Sequence, residues 1–168
     1  MKLLPLILIT FTYVIFAQTI AVIDSDKIFN TMGEVADAKE LLESEIEDWE
    51  AHADSLQDEI DAIQTDLDYT MVMSPERRRS REALLEEKSI ELQEFLEYIF
   101  GPGGLVESRN EELVSPIVAN INEAVQEISR EEGYDIVFDI SAGVVIYVEN
   151  ALDITNAVLE KLSVRSEN

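Results

Sequence analysis

Apolar and polar residues alternate along this chain with two different periods, and the periods mark out its elements. Thr19 to Asp24 (TIAVID) is a short β-rich run that predicts a strand. Asp24 or Ser25 then caps a brief helical turn through Lys27, Ile28 and Phe29, which Gly33 breaks. From Glu34 to about Val72 there is neither Pro nor Gly. Val35, Ala38, Leu42, Ile46, Trp49, Ala53, Leu56, Ile60, Ile63, Leu67 and Thr70 follow one another at steps of three and four, a heptad seam on an otherwise polar helix. About 39 residues of helix reach roughly 58 Å at 1.5 Å per residue, so this helix must project from any compact body.

Ser74-Pro75-Glu76 opens a second helix, with a capping hydroxyl, Pro in the first turn and a carboxylate near the positive end of the dipole. Its seam runs through Leu85, Lys88, Leu92, Phe95 and Ile99. A short connection makes the two helices an antiparallel hairpin with its tip near residues 71–81. Gly101, Pro102, Gly103 and Gly104 interrupt the returning arm as a helix break or hinge. The pattern resumes through Leu113, Ile117, Ile121, Ala124 and Ile128, and Gly133 ends it as a left-handed cap.

Tyr134 to Asp139 and Val144 to Val148 are two further β-rich runs, which predict a hairpin around the intervening ISAG. Asp153 caps a last amphipathic helix carrying Ile154, Val158, Leu159 and Leu162. The expected fold class is α+β: a long antiparallel helical hairpin, residues 34–132, projecting from a small β-sheet body made by residues 18–33 and 133–168. Three short strands and one helix make a poor core. The body should therefore be completed by oligomerisation through Ile20, Val22, Ile136, Phe138, Val145 and Tyr147.

Charge narrows the function. With 36 acidic residues against 12 basic ones and a net charge of −24, the chain is not a nonspecific nucleic-acid binder, since phosphate neutralisation needs a basic surface. Self-repulsion should be heavy at low salt and relax as screening shortens. The lack of cysteine removes disulfides and thiolate chemistry. His52, the single histidine, has no ligand or base motif around it, the carboxylates lack calcium-loop spacing, and the Gly-rich break lacks a phosphate-loop pattern. Neither a cofactor nor a catalytic set is indicated. Lys2, the apolar run Leu3 to Phe16 and Ala17 read as a signal peptide over residues 1–17, a retained membrane anchor being the alternative.

Against this background the stretch MVMSPERRRSR is unusual. Arg77, Arg78, Arg79 and Arg81 gather the scarce positive charge at the hairpin tip, beside Met71, Val72 and Met73. One reading pairs them with Glu82, Glu86 and Glu87. The other makes them a contact for another polypeptide, anionic lipid or lipopolysaccharide, because cations in a first helical turn oppose that helix's own dipole.

The segments IAVIDSDKIF, EEGYDIVFD and VVIYVENALDITNAVLEKL, in that order, resemble the Skp/OmpH family of periplasmic chaperones. The resemblance implies a homotrimer in which a small β-sheet body joins three helical tentacles around a cavity. It also implies a periplasmic location and ATP-independent binding of unfolded outer-membrane proteins, without turnover. Better-known members are strongly basic, and this chain is the reverse almost everywhere except Arg77 to Arg81. The competing reading of the same pattern is a coiled-coil spacer or adaptor of the cell envelope that docks one folded partner through its tip.

Overall fold

A computed structural model describes residues 18–70 and 72–166. The signal-peptide reading of residues 1–17 and the contact reading of Met71 fall outside the described residues. In chain order the elements are β1 (Ile20–Ile23), α1 (Ser25–Thr31), α2 (Gly33–Tyr69), α3 (Pro75–Phe100), α4 (Leu105–Glu132), β2 (Ile136–Asp139), a single 3-10 turn (Asn150–Leu152) and α5 (Thr155–Ser166). Asp24 caps α1 by accepting from the Lys27 amide at 2.9 Å. The stop after α1 falls at Met32, and Gly33 is the first residue of α2 rather than a break. Ser74 caps α3 as its hydroxyl position implies, accepting from the Arg77 amide at 3.2 Å.

The core lies where the two ends of the chain meet the base of the hairpin. Ala21, Ile23, Ile28, Val35, Ile117, Ile121, Ala124, Ile128, Ile154, Val158 and Leu162 form one buried cluster. Four of these, Ile117, Ile121, Ala124 and Ile128, belong to the last turns of α4. The returning arm thus supplies a wall of the body, and the pattern that marked α4 as amphipathic is the pattern of that wall. Gly133 closes the helix at φ 76°, and the amides of Gly133 and Tyr134 both donate to the Ser129 carbonyl at 2.9 Å.

Strand pairing departs from expectation. β2 pairs in parallel with β1, in the register Ile20 with Ile136 through Ile23 with Asp139, and the whole helical hairpin is the crossover between them. Val144 to Val148 forms no strand, so the expected hairpin of residues 134–148 is absent. The sequence has the β-branched residues for a strand, but a strand also needs a ladder partner. β1 offers none here. It takes β2 on one edge, while on the other the Ile154 amide donates to the Val22 carbonyl at 3.0 Å. The far edge of β2 is open among the described residues.

Along the projecting hairpin, α2 and α3 stay in phase for three successive heptads. Arg81 Nε lies 3.0 Å from Asp66, Lys88 Nζ lies 3.0 Å from Glu59, and the ring of Phe95 meets His52 edge-on with centroids 4.7 Å apart. One more heptad up α2 brings Glu45, whose in-phase partner would be Pro102. The partner is instead Arg109, a further seven residues on, with Nε 2.9 Å from Glu45. The glycine break thus removes one complete heptad from the return arm and leaves the facing stripe in phase.

The break itself is tightly specified. The Gly101 amide donates to the Glu97 carbonyl at 2.9 Å, Gly104 to Gly101 at 2.8 Å, and the Gly103 amide to the Glu107 carboxylate at 2.9 Å. A Cβ on Gly104 would lie 2.7, 2.8 and 2.9 Å from the carbonyl oxygens of Ile99, Gly101 and Tyr98. Real side chains do not tolerate such contacts with backbone, so this turn requires glycine.

Candidate functional site

Three surfaces carry the candidate residues. At the tip, the arginines turn out to serve two masters. Arg81 and Arg77 approach the Asp66 carboxylate, at 3.0 and 3.8 Å, and Arg78 donates to the Leu67 carbonyl at 3.4 Å. Asp66 also accepts from the Thr70 hydroxyl at 2.9 Å. These arginines begin α3, where their own dipole disfavours them, but they face the last turn of α2, whose free carbonyls are negative. The neighbouring helix resolves the puzzle that the sequence posed within one helix. Of the expected partners Glu82, Glu86 and Glu87, only Glu82 is in reach, 4.0 Å from Arg78. Arg79 has no ion-pair partner among the described residues and is exposed. Also in the tip segment are Tyr69, 82% exposed, and Val72, 93% exposed, while Met73 is half-buried. Tyr69 was not singled out by periodicity, since it lies off the seam; only its position beside the turn signals it.

The second surface is the sheet face turned away from the core. The register places Ile20, Val22, Ile136 and Phe138 on one face, opposite Ala21, Ile23 and Val137, which belong to the core. Val22 is buried, but Ile20, Ile136 and Phe138 are exposed. Val145, half-buried, and Tyr147, exposed, lie in the unpaired segment that follows, and Ile146 between them is 99% exposed. An open strand edge with Ile20, Ile136 and Phe138 exposed on the sheet, followed by exposed Ile146 and Tyr147, leaves apolar area of the kind that stable monomers seldom present.

Polar contacts behind that face explain the residues that mark the chain's two ends. Ser25 donates from its hydroxyl to Asp139 and from its amide at 3.1 Å, and the Ser141 amide donates to the same carboxylate at 3.0 Å. Burial pushes the Asp139 carboxyl up, but the Ser25 and Ser141 donors outweigh it and hold it below the usual carboxylate range. Thr155, fully buried, accepts from the Asp24 amide at 2.9 Å, donates from its own amide to Asp153 at 2.9 Å, and also donates its hydroxyl to Asp153. Asp24, Ser25, Asp139, Asp153 and Thr155 therefore tie β1, β2 and α5 into one unit.

The third surface is the shaft. Its cations sit between helices: Lys88 bridges Glu59 and Glu91, at 3.0 and 2.9 Å, and Arg109 grips Glu45 with two nitrogens while a third reaches Glu112 at 2.7 Å. At the base, Lys161 holds Glu127 and Glu131, and Arg165 holds Glu123 and Glu127. Hydrogen bonding from Lys161 draws the Glu127 carboxyl down, and Glu131 and Glu127 raise Lys161. His52 is exposed, and its ring packs edge-on against Phe95 of α3. Trp49 is half-buried on the seam. Among the described residues no cluster is placed to hold a metal ion, and no helix is long and apolar enough to cross a membrane.

Comparison with known proteins agrees with this geometry. The model of the OmpH-like outer membrane protein family matches residues 19–162. Among solved structures, a candidate outer membrane chaperone (OmpH-like) from Caulobacter crescentus superposes with a TM-score of 0.76 at 18% identity, over 93% of this chain and 90% of that one. No curated protein matches by sequence.

Proposed function

The chain belongs to the OmpH-like outer membrane protein family, and from that premise we propose that it is an ATP-independent holdase of the periplasm. In this reading it keeps unfolded outer-membrane proteins from aggregating by holding them between helical tentacles. The observation that carries the reading is the asymmetry of the hairpin. α3 buries only Ile99 fully yet keeps Ile90, Leu96, Tyr98 and Phe100 exposed along a helix dense in glutamate. Such a wall offers many shallow apolar contacts and no dry pocket, so each contact is weak and retention comes from their number. High net charge keeps the loaded complex in solution.

The body completes a homotrimer in this proposal. The outward face of Ile20, Ile136 and Phe138, with Val145 and Tyr147 in the unpaired segment, would be covered by neighbouring subunits, and Val144 to Val148 would find its ladder there. At the tip, Arg79 and Arg77 with Tyr69, Val72 and Met73 are proposed to touch client or anionic lipid, while Arg78 and Arg81 chiefly secure the turn.

A dilution assay tests the reading. Two unrelated urea-unfolded outer-membrane barrels are diluted into buffer with and without the purified protein, and light scattering follows aggregation. Suppression for both, near one trimer per client, is expected. Failure for both, with the oligomer intact, would sink the holdase and bring forward the envelope spacer with one folded partner.

A further inference from the structure

The charge pattern of the shaft is one-sided. No Lys or Arg occurs between Lys39 and Arg77 on the outgoing arm, or between Lys88 and Arg109 on the return. The two cations that face the shaft, Lys88 and Arg109, are committed to Glu59, Glu91, Glu45 and Glu112. Across the middle of the hairpin every basic group is thus neutralised by the protein itself. The carboxylates are not: Glu86, Glu87 and Glu94 have no ion-pair partner among the described residues. Glu86, Glu87, Glu91 and Glu94 wall a shallow groove on α3 whose floor includes Ala83 and Ile90. Ile90 is 49% exposed, and Tyr98 continues the same flank two turns on at 65%.

We propose that this face of α3 takes cationic, apolar stretches of unfolded chain, those in which Lys or Arg alternates with aliphatic or aromatic residues. The inference rests on the holdase reading and adds a direction to it. An apolar strip flanked by the unpaired carboxylates of Glu86, Glu87 and Glu94 attracts such a segment through both of its components. A segment carrying Asp or Glu gains the apolar contact but meets like charge, which acts against a wrong partner. The preference is electrostatic at an exposed surface, so it belongs to low ionic strength and fades as screening shortens.

The test uses two unfolded polypeptides of equal length and equal apolar content, one with lysine and the other with glutamate at its charged positions. Each is titrated against the purified protein at about 20 mM and about 1 M salt, with binding read by fluorescence anisotropy. The lysine chain is expected to bind roughly tenfold tighter at low salt, with the gap closing at high salt. In the triple variant Glu86→Gln, Glu87→Gln, Glu94→Gln the gap should shrink several-fold while helical content stays constant. Equal affinities at low salt, or a preference for the glutamate chain, would overturn the proposal and leave the holdase standing. An undiminished gap in the triple variant would equally overturn the assignment to α3. If neither chain binds at either salt, the holdase reading fails and the inference falls with it.

Discussion

The two halves of the return arm have nearly equal length and opposite construction. α4 buries Ile117, Ile121, Ala124 and Ile128 in the body, while α3, of 26 residues, buries Ile99 alone. α3 leans on α2 through a half-buried seam and interhelical cations, Arg81 to Asp66 and Lys88 to Glu59. A helix pair with no third layer dries its seam only at single positions, Leu56, Ile63 and Leu67 of α2 and Ile99 of α3, so the outer half depends on continuity with the inner one more than on a core of its own. The difference separates a part with a continuous dry core from a part that leaves Ile90, Leu96 and Tyr98 exposed.

The largest expected effects lie in the inner half. Ile121→Ala should cost about 2–5 kcal/mol in urea unfolding, whereas Leu92→Ala on the half-buried outer seam should cost about 1 kcal/mol. Equal costs would break the comparison and mean that the outer half has its own dry core. Next comes the junction: Gly104→Ala should cost about 1–3 kcal/mol by forcing the turn off three carbonyls. A neutral result would make the break far looser than its hydrogen bonds imply.

A smaller effect is expected from pH at the body. The folded-state pKa of Asp139 is depressed, so its contribution is complete above the ordinary carboxylate range and is lost as pH falls through and below it. The stability gap between the protein and Asp139→Asn should therefore be constant near neutrality and close in acid. A gap that widens in acid contradicts the sign. Comparing the two proteins also cancels the general relief of acidic self-repulsion. Smallest of all, Arg79→Ser should leave the melting temperature unchanged, while Arg81→Ser should speed amide exchange at the end of α2 with little change in melting. Faster exchange in both would mean that Arg79 also secures the turn.

Where periodicity reported burial, the sequence was easy to read. The seams placed α2, α3 and α4, and the capping roles of Asp24, Ser74 and Gly133 stand as read. What stayed out of reach of the sequence shares a cause. Val144 to Val148 has strand composition, but pairing depends on an edge that only the assembled fold provides. The arginines look misplaced beside their own helix dipole, because their partner, the end of α2, is near in space rather than in sequence. His52 sits one heptad from Glu59 and Glu45, and its contact with Phe95 follows from hairpin register, which no single-helix pattern reports. Pro116, inside α4, went unread as a helix interruption and is tolerated there, at an exposed position one residue before the buried stripe.

The glycine break has a consequence for the dimensions of the molecule. Because it swallows one whole heptad, the stripe facing α2 resumes as though nothing had intervened. Arm length can then change only in quanta: seven residues gained or lost in both arms lengthen or shorten the hairpin and keep the facing stripes in phase, and any other small number rotates one stripe off its partner. A hairpin lengthened by one heptad in each arm gains about 10 Å of reach, two helical turns, and its body need not be redrawn.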